Sequence, residues 1–128
     1  MAYLRPGFLL ARVMNPLLMR LRLKPTLAVR GRRSGEWRTV PVNVLELDGS
    51  RYLVAIRGEA EWVRNLRAAG EGELRSRGRV EPFRAEEVPV AERSRVIAAY
   101  RERWENEVKR LFDLLPDPAD HPVFRLLR

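Results

Sequence analysis

The 128-residue chain contains no cysteine. That excludes a disulfide framework, a thiolate metal site and a cysteine nucleophile. It holds a single histidine, His121, which excludes a multi-histidine metal centre and leaves any serine–histidine chemistry dependent on this residue alone. Nothing beside His121 has the pattern of a nucleophile elbow. Acids are scarce at one end. Residues 1–40 carry nine basic side chains and one acid, Glu36, whereas the remaining 88 residues carry sixteen of each. The whole excess of +8 therefore lies at the N-terminal end. Long hydrophobic runs are missing too. The one extended apolar stretch, residues 8–21, is interrupted by Arg12, Pro16 and Arg20 and is shorter than the roughly 20 residues a membrane span needs. Arg20, Arg22 and Lys24 follow it in place of a small-residue cleavage site, so a cytoplasmic location is expected. Repeats, low-complexity segments and linkers are absent, and a content of 45% hydrophobic and 33% charged residues is that of a globular chain. One domain over residues 1–128 is expected.

Of the 25 basic residues, 23 are arginine. A guanidinium offers a fixed fork of donors suited to phosphate and carboxylate, which the point charge of lysine does not. A biased codon composition would explain the abundance of arginine, but not its clustering.

The periodicity predicts a helix beginning at Arg5-Pro6, with Phe8, Leu9, Val13, Leu17 and Leu21 along one face and a break or kink at Asn15-Pro16. A strand is expected over Thr26 to Arg30, a turn over Gly31 to Gly35, and one long strand over Trp37 to Leu47 with Val40, Val42 and Val44 sharing a face. Asp48-Gly49 is a hairpin signal, with Arg51 to Arg57 as the returning strand. Residues 59–69 should form a short helix ended by Gly70. A second hairpin turns around Gly78, between Glu73 to Arg77 and Arg79 to Glu87. A helix follows over residues 90–104, with Ile97, Tyr100 and Trp104 on one stripe. A further helical turn at Phe112 to Leu115 and a closing strand from His121 to Leu127 complete the chain. About six antiparallel strands in mostly sequential hairpins, with helices at the start, in the middle and near the end, favour a small barrel of mainly β (α+β) class.

Three segments carry candidate chemistry. In Gly31-Arg32-Arg33-Ser34-Gly35-Glu36-Trp37-Arg38 two glycines let successive N–H groups face one anion, Arg32, Arg33 and Arg38 add charge, and Ser34 adds a hydroxyl. A strand follows instead of a helix, so this is not a Walker loop. The residues suit a phosphate or polycarboxylate tail, and equally a solvated basic hairpin. Pro41, Asn43, Ala55 and Arg57 are expected on adjacent strands of one hairpin, where the missing N–H of Pro41 and the small Ala55 suit the approach of a flat ring, or plain core packing. Trp62 and Asn65, three apart, share one face of the short helix, either stacking on and orienting a ring or plugging the barrel end and capping backbone.

Taken in order, Gly-Arg-Arg-Ser-Gly, Arg-Thr-Val-Pro-Val, Asp-Gly-x-x-Tyr-Leu-Val-Ala and Trp-Val-Arg-Asn-Leu-Arg-Ala resemble the deazaflavin-dependent nitroreductase family. The ending His-Pro-Val-Phe-Arg-Leu fits a subgroup of it. The resemblance covers nearly the whole chain and is most specific over residues 27–70. It implies the split β-barrel of the FMN-binding oxidoreductases, and the deazaflavin coenzyme F-420 as cofactor, with FMN the alternative. It implies that Arg32, Arg33 and Arg38, with Ser34 and Gly35 of the same turn, engage the coenzyme's phosphate and glutamate tail. Pro41, Val42, Asn43, Ala55, Ile56 and Arg57 would border the ring and its linker, with Trp62 and Asn65 beside them. It also implies hydride transfer to an electron-poor acceptor such as a quinone, nitroarene or enone, the alternative being a non-catalytic deazaflavin, flavin or lipid binder of the same fold. Tyr100 is the one candidate proton donor to name, although a tyrosine there is more commonly part of the core. The chain departs from many family members in the short Arg57 to Trp62 segment, which lacks a proline before the tryptophan, and in Asn43, where bulkier residues occur. Nucleic acid is not an expected partner, because the basic end lacks exposed aromatics interleaved with its charges. The apolar face of the first helix, flanked by Arg5, Arg12, Arg20, Arg22 and Lys24, predicts either a peripheral contact with anionic membranes or a plug for the barrel. The oligomeric state is left open by the sequence.

Overall fold

A computed structural model of the chain describes residues 2–4 and 24–128. The helix expected from Arg5-Pro6, and with it the membrane-facing stretch, lies outside the described residues. Among the described residues are seven strands: β1 (Thr26–Arg30), β2 (Trp37–Pro41), β3 (Leu45–Leu47), β4 (Ser50–Val54), β5 (Glu71–Ser76), β6 (Arg79–Glu87) and β7 (Val123–Leu127). There are two helices, α1 (Glu61–Ala69) and α2 (Val90–Leu114), and a 3-10 turn at Pro118–Asp120. All strand pairs are antiparallel, in the order β2-β1-β5-β6-β7-β4-β3. No described helix is long and apolar enough to cross a membrane.

Local chemistry accounts for most of these elements. Leu27, Ala28 and Val29 are buried on both faces of β1, which lies between β2 and β5. Asp48 and Gly49 both take positive φ, 51° and 78°, the two-residue turn whose twist matches a hairpin. Gly70 ends α1 at φ 72°, its N–H returning to the Leu66 carbonyl at 2.7 Å. The hairpin around Gly78 forms as expected, with Arg77 also at positive φ, 50°.

The expected long strand over Trp37 to Leu47 is two strands, which raises the count from six to seven. β2 pairs with β1 at one edge of the sheet and β3 pairs with β4 at the other. Only Val42, Asn43 and Val44 join them. Alternation survives the break, because Val40, Val42 and Val44 all pack against one core; the pattern of one strand is thus carried over two. Pro41 and Asn43 consequently do not pair with Ala55 and Arg57, and β4 ends at Val54.

Two apolar clusters divide the interior. Leu27, Val29, Leu53, Leu66, Phe83 and Phe124 fill the barrel beneath α1. Tyr52, Val54, Val96, Tyr100, Phe112 and Val123 lie between the sheet and α2. Successive residues of β4 and β7 serve opposite clusters, as a strand's period of two requires. Helix α2 runs past the expected end at residue 104, but Trp104 has non-helical φ −123° and ψ 34°, so the break in apolar stripe at that point marks a kink.

The lone histidine is a structural tie. His121 is fully buried. Its Nδ1 lies 2.8 Å from the Ala55 carbonyl oxygen and its Nε2 2.6 Å from that of Leu115, with Phe112 stacked at 4.4 Å. It fastens the chain just after β4 to the end of α2. Replacing His121 by Leu removes the ring's donor, and an imidazole carrying one N–H serves only one of the two carbonyls, while the Ala55 carbonyl keeps the Gly58 N–H at 3.1 Å. A loss of about 1–3 kcal/mol in urea unfolding, with unchanged slope, is the expected result.

Candidate functional site

The basic turn is built by its own backbone. The Gly31 N–H donates to the Glu36 carbonyl at 2.7 Å and the Gly35 N–H to that of Gly31 at 2.9 Å. Gly35 takes φ 74°, a conformation for which glycine carries no steric penalty. The turn is then pinned to α1. Asn65, 5% exposed, accepts at Oδ1 from the Arg32 amide N–H at 3.1 Å and from Arg32 Nη1 at 2.8 Å. Arg32 Nη1 also donates to Glu61 Oε2 at 2.7 Å. The Arg32 hydrogen bond and charge, with Arg64 and Arg33 further off, hold the Glu61 carboxyl below the usual carboxylate range. Arg32, Arg33, Ser34, Arg38, Glu61, Trp62 and Asn65 line a cavity of about 590 Å³, with Val29 and Val40 as its apolar floor.

A second cavity of about 320 Å³ adjoins it, and Tyr3, Val40 and Trp62 line both. Its walls are Val42, Leu53, Val54, Ile56 and Ala60; polar groups of Asn43, Tyr100, Glu107 and Lys24 also line it. Asn43 Nδ2 donates to Tyr100 Oη at 3.0 Å and to Glu107 Oε1 at 3.4 Å. Glu107 only accepts, which fixes the amide orientation. Lys24 pairs with the same carboxylate. Burial, the largest influence, pushes the Tyr100 phenol up to about 12, opposed by the Asn43 hydrogen bond and assisted by the Glu107 charge.

Residues 2–4 reach this seam by pairing with the loop after β4. The Leu4 N–H donates to the Arg57 carbonyl and the Glu59 N–H to that of Ala2, both at 2.9 Å, and Arg57 Nη1 donates to the Leu4 carbonyl at 3.1 Å. Gly58 permits the approach: at φ 88° a Cβ there would stand 2.3 Å from the Ala2 carbonyl oxygen.

The structure thus brings Arg32, Arg33, Ser34, Arg38, Trp62 and Asn65 together in the first cavity, and Pro41, Val42, Asn43, Ile56, Arg57 and Trp62 in the second. Gly35 and Ala55 line neither. Ala55 is buried, its N–H given to Pro122 and its carbonyl to His121. Sequence reasoning missed Tyr3, Lys24 and Glu107. No local pattern marks them, because Tyr3 and Lys24 reach the site from the N-terminal side and Glu107 from α2 beyond its kink. At the basic end two aromatics of the described residues, Tyr3 (42%) and Trp37 (37%), are exposed after all. Guanidinium groups of Arg30 and Arg75 lie 4.2 and 4.9 Å from the Trp37 ring centroid, so that ring is already engaged by cations.

Similarity to known proteins bears on the fold and the family. Among solved structures, the chain is similar to an F420-H2 dependent reductase, FDR-A, at 23% identity over 80% of this chain and 91% of that one, with a TM-score of 0.59. It is similar to HutZ, the heme storage protein from Vibrio cholerae, at 17% identity over 89% of each chain, TM-score 0.60. A structure described as a domain-swapped dimer matches at 18% identity over 95% and 99% of the two chains, TM-score 0.59. No curated protein matches by sequence. The fold these structures share with the chain is a split barrel. Residues 15–111 match the family model described as F420H(2)-dependent quinone reductase, and the chain belongs to that family. It is an oxidoreductase whose cofactor is coenzyme F-420.

Two measurements check the site's construction. Replacing Asn65 by Leu removes the oxygen that accepts from the Arg32 backbone N–H and leaves the guanidinium to Glu61 alone. A loss of about 1–3 kcal/mol is expected from the unpaired, part-buried Arg32 N–H, with faster hydrogen exchange at that amide by NMR. For Tyr100, the folded value near 12 lies above the ordinary 10. The folded state therefore holds the phenol proton more tightly than the unfolded state. The resulting stability is fully present below about pH 10 and is lost as the pH rises towards about 12. Urea unfolding from pH 9 to 12 should show this decline in the parent and a smaller one in Tyr100→Phe.

Proposed function

We propose that the protein passes a hydride from reduced coenzyme F-420 to a quinone or a similarly electron-poor nitroarene or enone, holding the coenzyme's anionic tail in the first cavity and its ring in the second. The observation that carries this reading is the contrast between two cavities that meet at Trp62. One is lined by three guanidinium groups, a hydroxyl and the Glu61 carboxylate, the other mostly by aliphatic side chains, with the single guanidinium of Arg57 and polar groups of Asn43, Tyr100, Glu107 and Lys24. The donor set fits the coenzyme: a phosphate followed by carboxylates needs several cationic forks in succession.

The bound coenzyme supplies the hydride; the protein's part is binding, orientation and exclusion of water. Arg33, Arg38 and Ser34 bind the tail. Trp62 stands at the junction and fixes where tail ends and ring begins. Val42, Leu53, Ile56 and Ala60 keep water from the ring's surroundings. Reducing a quinone to its hydroquinone consumes one proton for each hydride. Tyr100 holds that proton at Oη. Its lone pair is occupied by the Asn43 amide, which leaves the phenol hydrogen to be donated to an acceptor oxygen. A value near 12 keeps it protonated throughout the neutral range. Asn43 positions the phenol, and the family's own description as quinone reductases supports the choice of acceptor.

Changing Arg33 and Arg38 together to Glu should weaken coenzyme binding by at least about 100-fold, since each charge-assisted hydrogen bond is worth about 1.5–3 kcal/mol. The far-ultraviolet circular dichroism should not change, because both side chains are exposed. Tyr100→Phe should bind the coenzyme as the parent does and lower kcat for a water-soluble quinone by about 100-fold, the usual scale of a lost general acid. Fluorescence titration of the coenzyme and steady-state kinetics decide both. Unaltered binding in the arginine variant overturns the tail site, and an unaltered kcat in the phenylalanine variant overturns the proton donor.

A further inference from the structure

Of the three arginines in the first cavity, Arg32 already has an anion. Glu61 Oε2 lies 2.7 Å from its Nη1, in the cavity wall itself. This carboxylate does little for the fold. Its side chain is 76% exposed, where an ion pair contributes little to stability. Nor does it position Arg32, which Asn65 grips twice, once at the backbone and once at the guanidinium. Glu61 is the first residue of α1 and holds its negative charge firmly because of Arg32. An exposed carboxylate therefore sits on a fixed, largely buried guanidinium within the cavity meant for an anionic tail.

We infer that Glu61 is an internal stand-in for the tail: it occupies Arg32 in the free protein and is displaced when a multiply anionic ligand binds. This rests on the reading of the first cavity as the tail site. Displacement has an energetic cost and brings repulsion between like charges, so Glu61 sets a threshold. A ligand with several anionic groups can engage Arg33 and Arg38 and still have one left to replace Glu61. A ring fragment without a tail neither meets the threshold nor feels it. Glu61 is on this account a specificity-determining residue, selecting for the charge of the tail and lowering affinity in return.

The test is a binding titration of coenzyme F-420 and of its tail-less fragment, 8-hydroxy-5-deazariboflavin, on the parent, E61Q, E61A and the Arg33→Glu, Arg38→Glu double variant. Circular dichroism confirms folding of each. E61Q and E61A should bind the coenzyme about tenfold more tightly, the scale of one charge-assisted contact no longer in competition. Both should bind the fragment as the parent does. If they bind the coenzyme no better while the double variant still binds it poorly, the tail site stands and the stand-in is overturned. If the double variant also binds as the parent does, the tail site itself falls, and the inference with it. Equal tightening of coenzyme and fragment overturns the inference as well, because the effect would not depend on the tail.

Discussion

The whole architecture depends on a three-residue bridge. β2 and β3 lie at opposite ends of the strand order, yet only Val42, Asn43 and Val44 separate them. From Pro41 to Leu45 the chain can span at most about 14 Å, while a flat sheet of seven strands would be about 29 Å wide. The sheet must therefore curl until its edges nearly meet. Val42 and Val44 turn into the barrel core, and the Val42 N–H donates to the Pro25 carbonyl at 3.0 Å, extending the β1–β2 pairing by one bond. Asn43, between the two valines, points the other way and meets Tyr100 and Glu107 of α2. The seam that closes the barrel is thus also the wall of the second cavity.

Helix α1 performs two tasks for the same reason. Val63 and Leu66 seal the barrel, which fixes the helix against β1 and so beside the turn that follows β1. Asn65, on the same buried side, then needs partners for its amide oxygen, and Arg32 supplies both. A buried polar side chain among apolar ones is costly unless satisfied, so the packing of the barrel and the placement of the cationic turn are one arrangement. Further along α1, Arg67 binds Glu87 through two nitrogens and Glu59 through two. Buried Arg93 reaches the same Glu87 and the carbonyls of Val88 and Ala119. Arginine's abundance is in part structural: several forks tie helices and loops together, and only some face the cavities.

The sequence made the local elements legible and the closure illegible. Thr26 to Arg30, Asp48-Gly49, the helix ended by Gly70 and the hairpin around Gly78 each announce themselves through side-chain period or turn chemistry. The division of Trp37 to Leu47 does not, because a strand that crosses from one sheet edge to the other keeps its alternation throughout. Pairing Ala55 with the ring face failed for the same reason: a period of two tells which face a residue shares, not which strand lies opposite. The site's cationic half was legible because it is contiguous from Gly31 to Arg38. Its other half was assembled from Asn43, Tyr100 and Glu107, whose meeting depends on the length and kink of α2, and from Tyr3, whose approach depends on the missing Cβ of Gly58.

The strand order also has a consequence for synthesis. β7 lies between β6 and β4, although it comes last among the described elements. Until residues 123–127 have left the ribosome, β4 and β6 each present an unpaired edge, and the barrel core stays open along one side. Local hairpins can form early, but the nascent chain cannot complete its sheet until β7 has emerged. The price is an exposed intermediate with two free edges, in which another strand can pair before β7 does. Assembly is therefore gated by translation, and mishaps of pairing between two nascent copies should concentrate at the slot β7 is destined to fill.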